Sequence, residues 1–329
     1  MIWLLILILL VAFLLIWKGS DWLTDSLIPV ADRLGTSYIA VTTLIVSFLL
    51  SLPEIFSAVY AYSFGFLEIG IGVIIGSVIM NIGLGIGVSA IIKPLKVEKA
   101  VVIRDGIFMV LAAAVVLIMG SDLQFQRSEG MVLLFLFIPY ALNVFAFERW
   151  RPKKSQKLKV KQLKKSLSLI GHLPWKFKPS VKTFLIGTVL LLGGSYLFSY
   201  ALVGIGKALP ISGLIIGLVI GAIGTGIPNI AAAVQGTRKG FQDAAITETF
   251  GSNIFTLLIT LGILVILQPF SIAGRIFYFD LTWMIIMHLL LIAFIFKGYW
   301  YKEESITRYE GVALLVFYLV LIILNVIGI

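Results

Sequence analysis

The sequence contains an internal repeat that carries helix-breaking residues. Residues 47–95 align without a gap with residues 222–270 at a constant offset of 175, and 13 of the 49 positions are identical. The identities include prolines, glycines and serines: Pro53/Pro228, Gly65/Gly240, Gly76/Gly251, Ser77/Ser252 and Pro94/Pro269. Because breakers and polar residues recur at one spacing within apolar segments, the repeat predicts a transporter built from two related halves.

The composition predicts a membrane protein. The chain is 60% hydrophobic and 13% charged, with a mean hydropathy of +1.08. Apolar runs of about 20 residues, long enough to cross a bilayer, follow one another along the chain. Ten spans are predicted near residues 2–30, 38–63, 69–92, 100–120, 130–148, 180–206, 211–236, 242–267, 276–297 and 309–328. With no cysteine, disulfides and thiolate metal sites are excluded.

The distribution of positive charge predicts the orientation. Of the 26 lysines and arginines, 23 lie in five of the segments between spans: 18–37, 93–105, 149–182, 237–241 and 297–310. Basic residues favour the cytoplasmic side, so both termini are predicted outside a plasma (inner) membrane of prokaryotic type. Residues 149–182 hold twelve basic residues and no acid, which favours a determinant of topology between two halves. The alternative is attraction of this linker to anionic lipid headgroups at the inner leaflet, and a nucleic-acid site is disfavoured.

The linker separates two halves, and each half has five predicted membrane spans, which is an odd number. A duplicated five-span unit crosses the membrane in the opposite sense the second time, so the halves are predicted to be inverted repeats. The predicted units are residues 1–148, the basic cytoplasmic linker 149–179, and residues 180–329. The fold is therefore expected to be all-α, with ten transmembrane helices in two inverted five-helix repeats.

Polar residues beside the repeated prolines predict a cation site. Glu54 and Asn229 each follow a proline, and Ser77 and Asn81 are four residues apart, as are Glu248, Ser252 and Thr256. A spacing of four places side chains on one helix face. A carboxylate near the membrane centre costs at least about 2.5 kcal/mol, which favours a functional role for Glu54. Broken helices supply further oxygens where they line a cavity.

At these residues the chain resembles the sodium/calcium exchanger family of the cation/calcium antiporters. The resemblance covers nearly the whole length and includes Lys-Gly-Ser-Asp-Trp-Leu-Thr-Asp-Ser (18–26), Ser-Leu-Pro-Glu (51–54), residues 72–81, Gly-Thr-Gly-Ile-Pro-Asn (224–229) and Gly-Ser-Asn-Ile (251–254). It implies an antiporter that moves Ca²⁺ against Na⁺ by alternating access at a midplane site, and not an enzyme. The candidate cation ligands are Ser47, Ser51, Glu54, Ser77, Asn81, Ala222, Thr225, Asn229, Glu248, Ser252 and Thr256.

The site departs from the family pattern. The family's Gly-Thr-Ser becomes Leu49-Leu50-Ser51 in the first repeat, and the second repeat has Gly226 for a serine, Asn229 for an acid and Thr256 for a late acid or amide. One acid remains where the resemblance implies two or three. Because Ca²⁺ affinity depends on the number of charged ligands, Glu248 is a candidate compensating carboxylate.

Three alternatives stay open. A monovalent cation or cation/proton exchanger keeps the fold and carries Na⁺, H⁺ or K⁺ without high-affinity Ca²⁺ binding. An intramembrane hydrolase is disfavoured, because the sequence has no His-Glu-x-x-His arrangement and its Asp residues lie almost entirely at span ends. A non-transporting sensor or scaffold is the third. No phosphate-binding loop or nucleotide fingerprint is present, so no cofactor is expected. The expected partners are inorganic cations and membrane lipids, and the sequence leaves the oligomeric state undetermined.

Overall fold

A computed structural model of the chain describes residues 2–26, 47–149, 180–238, 240, 242–301 and 306–328. The helices of the first half are α1 Ile2–Asp25, α2 Leu52–Ser63, α3 Leu67–Met80 with Asn81–Ile86 and Gly87–Ile92, α4 Lys99–Val101 with Val102–Gly106, Ile107–Met119 and Gly120–Asp122, and α5 Arg127–Arg149. Those of the second half are α6 Val181–Ala208, α7 Gly213–Ile216 with Gly217–Gly221 and Ala222–Arg238, α8 Gln242–Phe255 with Thr256–Thr260 and Leu261–Leu267, α9 Ile276–Leu281 with Thr282–Tyr301, and α10 Arg308–Ile327.

The chain is an all-helical integral membrane protein, as its composition predicts. Within the described residues, nine helices are long and apolar enough to cross a bilayer. The predicted span 38–63 is described from residue 47 onward, as a helical turn at 47–50 and α2. The predicted basic linker, 149–179, lies outside the described residues except for the end of α5. Ten spans, the orientation of the termini and the unit boundaries therefore remain predictions.

The third helix of each half forms the centre of the protein. The apolar window of α3 is 94% buried and that of α8 is 78% buried, whereas the windows of α1 and α5 are each 22% buried. A helix within a bilayer satisfies its own backbone hydrogen bonds. A helix whose side chains are buried on most sides lies at the centre of the bundle. α1 packs along α6, where the Ser26 and Thr183 hydroxyls lie 2.7 Å apart. Most side chains of α3 and α8 therefore face other parts of the protein.

Both central helices contain a π-helical segment at the same repeat position. The segment in α3 begins at Asn81, and the segment in α8 begins at Thr256, 175 residues later. A π segment fits an extra residue into the turn and is frequent at functional sites. Two candidate ligands, Asn81 and Thr256, thus lie where the helical pitch changes. The side chains after this point no longer continue the α-helical face that precedes it.

Two short extended segments, one after α3 and one after α8, form backbone pairings with segments that precede α10 and α5. Leu95, after α3, forms an antiparallel bridge with Ile306, before α10. Phe270, the repeat equivalent of Leu95, pairs with Phe125, before α5, as part of the two strands β1 Gln124–Phe125 and β2 Phe270–Ser271. Each of the two equivalent segments, Leu95 and Phe270, therefore pairs with a segment from the other side of the 149–179 linker.

The two repeated prolines have different local effects. Ser51 is a turn residue between the helical residues 47–50 and α2, and Pro53 lies in the first turn of α2. Pro228 instead lies inside the continuous segment Ala222–Arg238 of α7. A proline in the first turn loses a donor that would be unpaired in any helix, whereas an interior proline removes a helical hydrogen bond. The predicted break is therefore visible at the first proline only.

Candidate functional site

Polar side chains of α2, α3, α7 and α8 meet in the buried centre of the protein. The most buried of them are fully shielded from solvent: Ser51, Glu54, Ser77, Thr225, Ser252 and Thr256. Asn81 and Asn229 are 1% and 4% exposed. Residues from both repeats, far apart in sequence, thus come together in one cluster. We call these eight residues the central cluster.

Ser252 on α8 connects the four helices. Its hydroxyl lies 3.1 Å from the Ser51 hydroxyl and accepts hydrogen bonds from Asn229 Nδ2 at 2.9 Å and from Asn81 Nδ2 at 3.4 Å. Both amides therefore direct their NH₂ groups toward one oxygen. An amide held in this way turns its carbonyl oxygen to the opposite side.

Three carboxylate and amide oxygens of the central cluster are buried without a hydrogen-bond partner among the described residues. Glu54 Oε2, Asn81 Oδ1 and Asn229 Oδ1 make no hydrogen bond within the described part of the chain. Asn229 Nδ2 also donates to the other carboxylate oxygen, Glu54 Oε1, at 3.3 Å. Leaving a buried acceptor unpaired costs about 1–3 kcal/mol, and more for a charged group. A bound cation would compensate all three oxygens, so the donor set fits a cation.

The hydroxyls on α3 and α7 form a second, looser contact. Ser77 Oγ lies 3.5 Å from Thr225 Oγ1, which donates to the Gly221 carbonyl at 3.0 Å. Because the Thr225 proton is used within its own helix, Ser77 is the donor of this contact, and each of the two oxygens retains a lone pair. Thr256 Oγ1 is buried and has no partner among the described residues. Neutral oxygens are thus available beside the carboxylate.

Ser47 and Ala222 lie against the central helices at equivalent places. A Cβ atom at Gly251 would overlap the Ser47 side chain, and one at Gly76 would lie 2.7 Å from the Ala222 Cβ. The glycines that precede Ser77 and Ser252 therefore permit a close approach that any side chain would prevent. Ser47 and Ala222 are held next to the serines of the central cluster, but no hydrogen bond joins either side chain to the cluster in the part of the chain that the structure describes.

Glu248 lies one turn before Ser252 on α8. Its side chain is partly buried, and Oε1 is shielded from solvent with no hydrogen-bond partner in the described residues. The structure therefore places a second carboxyl group one helical turn from the central cluster, and no hydrogen bond joins it to the other candidate ligands within the described residues.

Gly226 shows why one family hydroxyl is absent. A Cβ at Gly226 would overlap the Cε methyl of Met80 and would lie 3.7 Å from Asn81 Oδ1. The Met80 side chain, which is fully buried, thus fills the volume that a serine would need. In the first repeat, the hydroxyl position is taken by Leu50, also buried. Two apolar side chains have replaced two neutral ligands.

Sequence reasoning missed Asn253 and His288. Asn253 Oδ1 accepts from Asn81 Nδ2 at 3.0 Å, and Asn253 Nδ2 donates to the Val78 carbonyl at 3.0 Å. His288 on α9 contacts the same amide. The Gly-Ser-Asn motif at 251–253 was a signal for Asn253, whereas a single histidine in an apolar helix gave no signal for His288.

The chemistry of the central cluster is that of a site rich in neutral oxygens. No group of three or more His, Cys, Asp or Glu side chains that could hold a metal ion occurs in the described ranges. Any cation there would be held by Glu54 with amide and hydroxyl oxygens. Such hard oxygen donors suit Na⁺, K⁺, Ca²⁺ or Mg²⁺ rather than zinc or copper.

Comparison with known proteins identifies the family. The sequence profile described as "Sodium/calcium exchanger protein" matches residues 4–146 and 180–327. The chain belongs to the sodium/calcium exchanger family. It is 26% identical to the sodium/calcium exchanger MaX1 of Methanosarcina acetivorans, over 96% of this chain and 97% of the relative. It is 30% identical to the putative antiporter CaxA of Alkalimonas amylolytica, over 78% of each chain.

Solved structures of the family share this fold. The sodium-calcium exchanger NCX_Mj, soaked with 2.5 mM Na⁺ and 0.1 mM Ca²⁺, superposes with a TM-score of 0.65 and 28% identity, over 98% of this chain and 99% of that one. The chain is therefore an antiporter of the sodium/calcium exchanger type, a transporter of inorganic cations and not an enzyme. The resemblance seen in its repeated motifs is confirmed.

Proposed function

We propose that this exchanger-family chain moves Ca²⁺ against Na⁺ by exposing the central cluster to each side of the membrane in turn. Glu54 is the charged ligand in this proposal. Asn81 and Asn229 supply amide oxygens, and Ser51, Ser77, Thr225, Ser252 and Thr256 supply hydroxyl oxygens. Ser47 and Ala222 line the same place, and Glu248 adds a nearby negative charge. The gradient of one ion drives the other, so no resident cofactor is required.

The observation that carries the proposal is the set of unpartnered oxygens around Glu54. Glu54 Oε2, Asn81 Oδ1 and Asn229 Oδ1 are buried, and none has a hydrogen-bond partner within the described ranges. A fully buried carboxylate without a cation in contact is costly, whereas a bound cation compensates both charge and lone pairs. Similarity to MaX1 and NCX_Mj, each named a sodium/calcium exchanger, supports Na⁺ and Ca²⁺ as the ions.

The predicted topology assigns the two sides of the membrane between which the central cluster would alternate. With both termini outside an inner membrane, the basic segments face the cytoplasm, and the basic linker 149–179 lies near anionic headgroups. α1 and α6 pack together at the side of the central helices and are the helices proposed to slide over them. Movement of such a pair changes which side of the membrane reaches the cluster, while the cluster itself stays in place.

The test is uptake of calcium-45 into proteoliposomes loaded with Na⁺. Wild type is compared with Glu54→Gln, which keeps the shape of the side chain and removes its charge, and with Glu68→Gln as the matched control. Glu68 is an exposed acid in the first turn of α3. We expect Na⁺-driven uptake in wild type and in the control and none in Glu54→Gln. Unchanged uptake by Glu54→Gln would refute the site.

One observation favours a second candidate, exchange of monovalent cations. Glu54 is the single carboxylate that lies within the central cluster, and two neutral ligands are replaced by Met80 and Leu50 (as described above). Ca²⁺ takes six to eight oxygens and depends strongly on charged ones. Wild type that takes up no calcium-45, yet moves Na⁺ in exchange for H⁺ or K⁺ in the same vesicles, would select this second function.

A further inference from the structure

Asn253 occupies the centre of a hydrogen-bonded chain that reaches the central cluster from α9. Its Nδ2 lies 3.0 Å from the Val78 carbonyl and 3.5 Å from His288 Nε2, and its Oδ1 lies 3.0 Å from Asn81 Nδ2. His288 Nδ1 lies 2.7 Å from the Met284 carbonyl. Asn253 and His288 are fully buried, and Asn81 is 1% exposed, so these contacts form away from water.

The neighbours determine the orientation of each group in this chain. A backbone carbonyl can only accept, so His288 Nδ1 carries the proton and donates to Met284 O. In the neutral ring, Nε2 is then an acceptor. The atom of Asn253 that faces both this acceptor and the Val78 carbonyl must be the NH₂ group. Its oxygen therefore faces Asn81.

The orientation of the Asn253 amide determines which way the Asn81 amide points. With Asn253 Oδ1 and Ser252 Oγ as acceptors, Asn81 directs Nδ2 toward α8. Asn81 Oδ1 is then left without a hydrogen-bond partner in the residues described, 3.7 Å from where a Cβ at Gly226 would lie on α7. An amide turned the other way would present NH₂ to a cation and repel it.

We propose that His288 and Asn253 are positioning residues that hold Asn81 with its carbonyl oxygen toward the transported cation. The proposal rests on the proposed function, because it assigns a role around the same cation site. α9 thereby takes part in cation binding although it carries none of the candidate ligands. The arrangement is not repeated in the first half, since Val78 occupies the repeat position equivalent to Asn253. Groups behind a ligand commonly change metal affinity by about 10–100-fold when they are removed.

The test replaces His288 with three side chains of different reach. A Gln amide reaches the place of Nε2 and can accept from Asn253, an Asn amide reaches only the place of Nδ1, and Phe has no acceptor. Tyr299→Phe is the matched control, because Tyr299 lies on the same helix as His288 and the change removes the hydrogen bond from its hydroxyl to the Val97 carbonyl. The increase in unfolding temperature with ion concentration gives the affinity of each purified variant. Na⁺ and Ca²⁺ are titrated in separate experiments.

We expect His288→Phe and His288→Asn to weaken cation affinity about tenfold, and His288→Gln and Tyr299→Phe to change it less than about twofold. A purely structural role would lower the unfolding temperature without ions and leave the affinities equal. That result would overturn the positioning role. The comparison of Gln with Asn decides the question even where the Phe variant is not recovered folded.

The two proposals fail in distinguishable ways. If Na⁺ and Ca²⁺ both leave the unfolding temperature of wild type unchanged, the cation site itself is wrong and the positioning role is overturned with it. If wild type responds to a cation and Glu54→Gln does not, the site stands. Equal affinities for His288→Asn and wild type would then overturn the positioning role alone.

Discussion

Asn229 Nδ2 donates to Glu54 Oε1 at 3.3 Å, and these residues occupy equivalent positions in the two repeats, 175 residues apart. The hydrogen bond from Asn253 Nδ2 to the Val78 carbonyl also joins equivalent positions, again 175 apart. These contacts bring equivalent positions of the sequence repeat together at the central cluster, where the acid of the first repeat meets the amide of the second.

Substitution of Asn229 by Asp is expected to tighten Ca²⁺ binding by about tenfold or more, because affinity increases with the number of charged ligands. The new carboxylate would face Glu54 at close range, and the like charges would repel each other in the absence of a divalent ion. Asn229→Leu is the control for loss of the amide. Ca²⁺ titration of both variants checks this, and equal Ca²⁺ affinities for Asn229→Asp and wild type would count against the ligand role.

The effects of substitutions at Met80 and Gly226 on the free energy of unfolding are expected to be coupled. Gly226→Ser alone would force the new side chain against the Met80 methyl and lower stability by about 1–3 kcal/mol. Met80→Ala alone would leave a cavity that costs about 2–5 kcal/mol. The double variant should lose less than the sum, with a coupling of about 0.5–3 kcal/mol. Unfolding of the four proteins measures the coupling, and strictly additive losses would show that the two sites do not share this volume.

The double variant also has a functional prediction. A serine at position 226 that is accommodated in the space of Met80 restores a hydroxyl near Asn81 Oδ1, and a further oxygen ligand favours Ca²⁺. We therefore expect the double variant to bind Ca²⁺ more tightly than Met80→Ala does. Identical Ca²⁺ titrations of these two variants would mean that the serine hydroxyl does not reach the ion.

Ser252 and Ser77 occupy equivalent repeat positions, but their replacement by alanine is expected to lower cation affinity to different extents. Ser252 contacts Ser51, Asn81 and Asn229, whereas Ser77 contacts Thr225 at 3.5 Å. Ser252→Ala removes the acceptor that orients two amides, so cation affinity should fall by about tenfold or more. Ser77→Ala, its matched control, should lower affinity only severalfold. Equal losses in the two variants would show that the amides are oriented by other groups.

Glu248→Gln tests whether a second carboxylate compensates for the missing acids. Glu248 lies one helical turn from the candidate ligand Ser252, so loss of a negative charge there should weaken Ca²⁺ binding about tenfold, equivalent to about 1.4 kcal/mol. This loss is smaller than that expected for Glu54→Gln. The control is Glu68→Gln, the same change at an exposed acid. If cation binding and transport by Glu248→Gln match those of wild type, Glu248 has no part in the site.

Much of the fold follows from the sequence for local reasons. A bilayer requires helices of a minimum length, so the apolar runs indicate α3 and α8 to within a few residues. The four-residue spacing of Ser77 and Asn81 correctly places both in the buried centre, because helical periodicity is fixed by backbone hydrogen bonds. The repeated prolines and polar residues point to the same four helices that meet in the structure.

Contacts between helices could not be predicted in the same way. In an apolar membrane, lipid-facing and protein-facing side chains have similar composition, so the sequence gives no sign of which surface of α9 His288 belongs to. The role of Met80 was hidden for the same reason, since its methyl reaches Gly226 on a helix about 145 residues away. Each of these contacts depends on how helices pack, rather than on any local pattern.

The sequence by itself determined that this chain is a duplicated helical membrane protein with Glu54 and the serines of both repeats at its centre, because span length, helical pitch and the repeat offset are local properties. Only the tertiary structure decided which atoms of that centre remain unpaired, that Met80 fills the place of a ligand, and that Asn253 and His288 orient Asn81. Those features arise from side-chain volume and hydrogen-bond direction between helices, which become defined only when the halves are packed together.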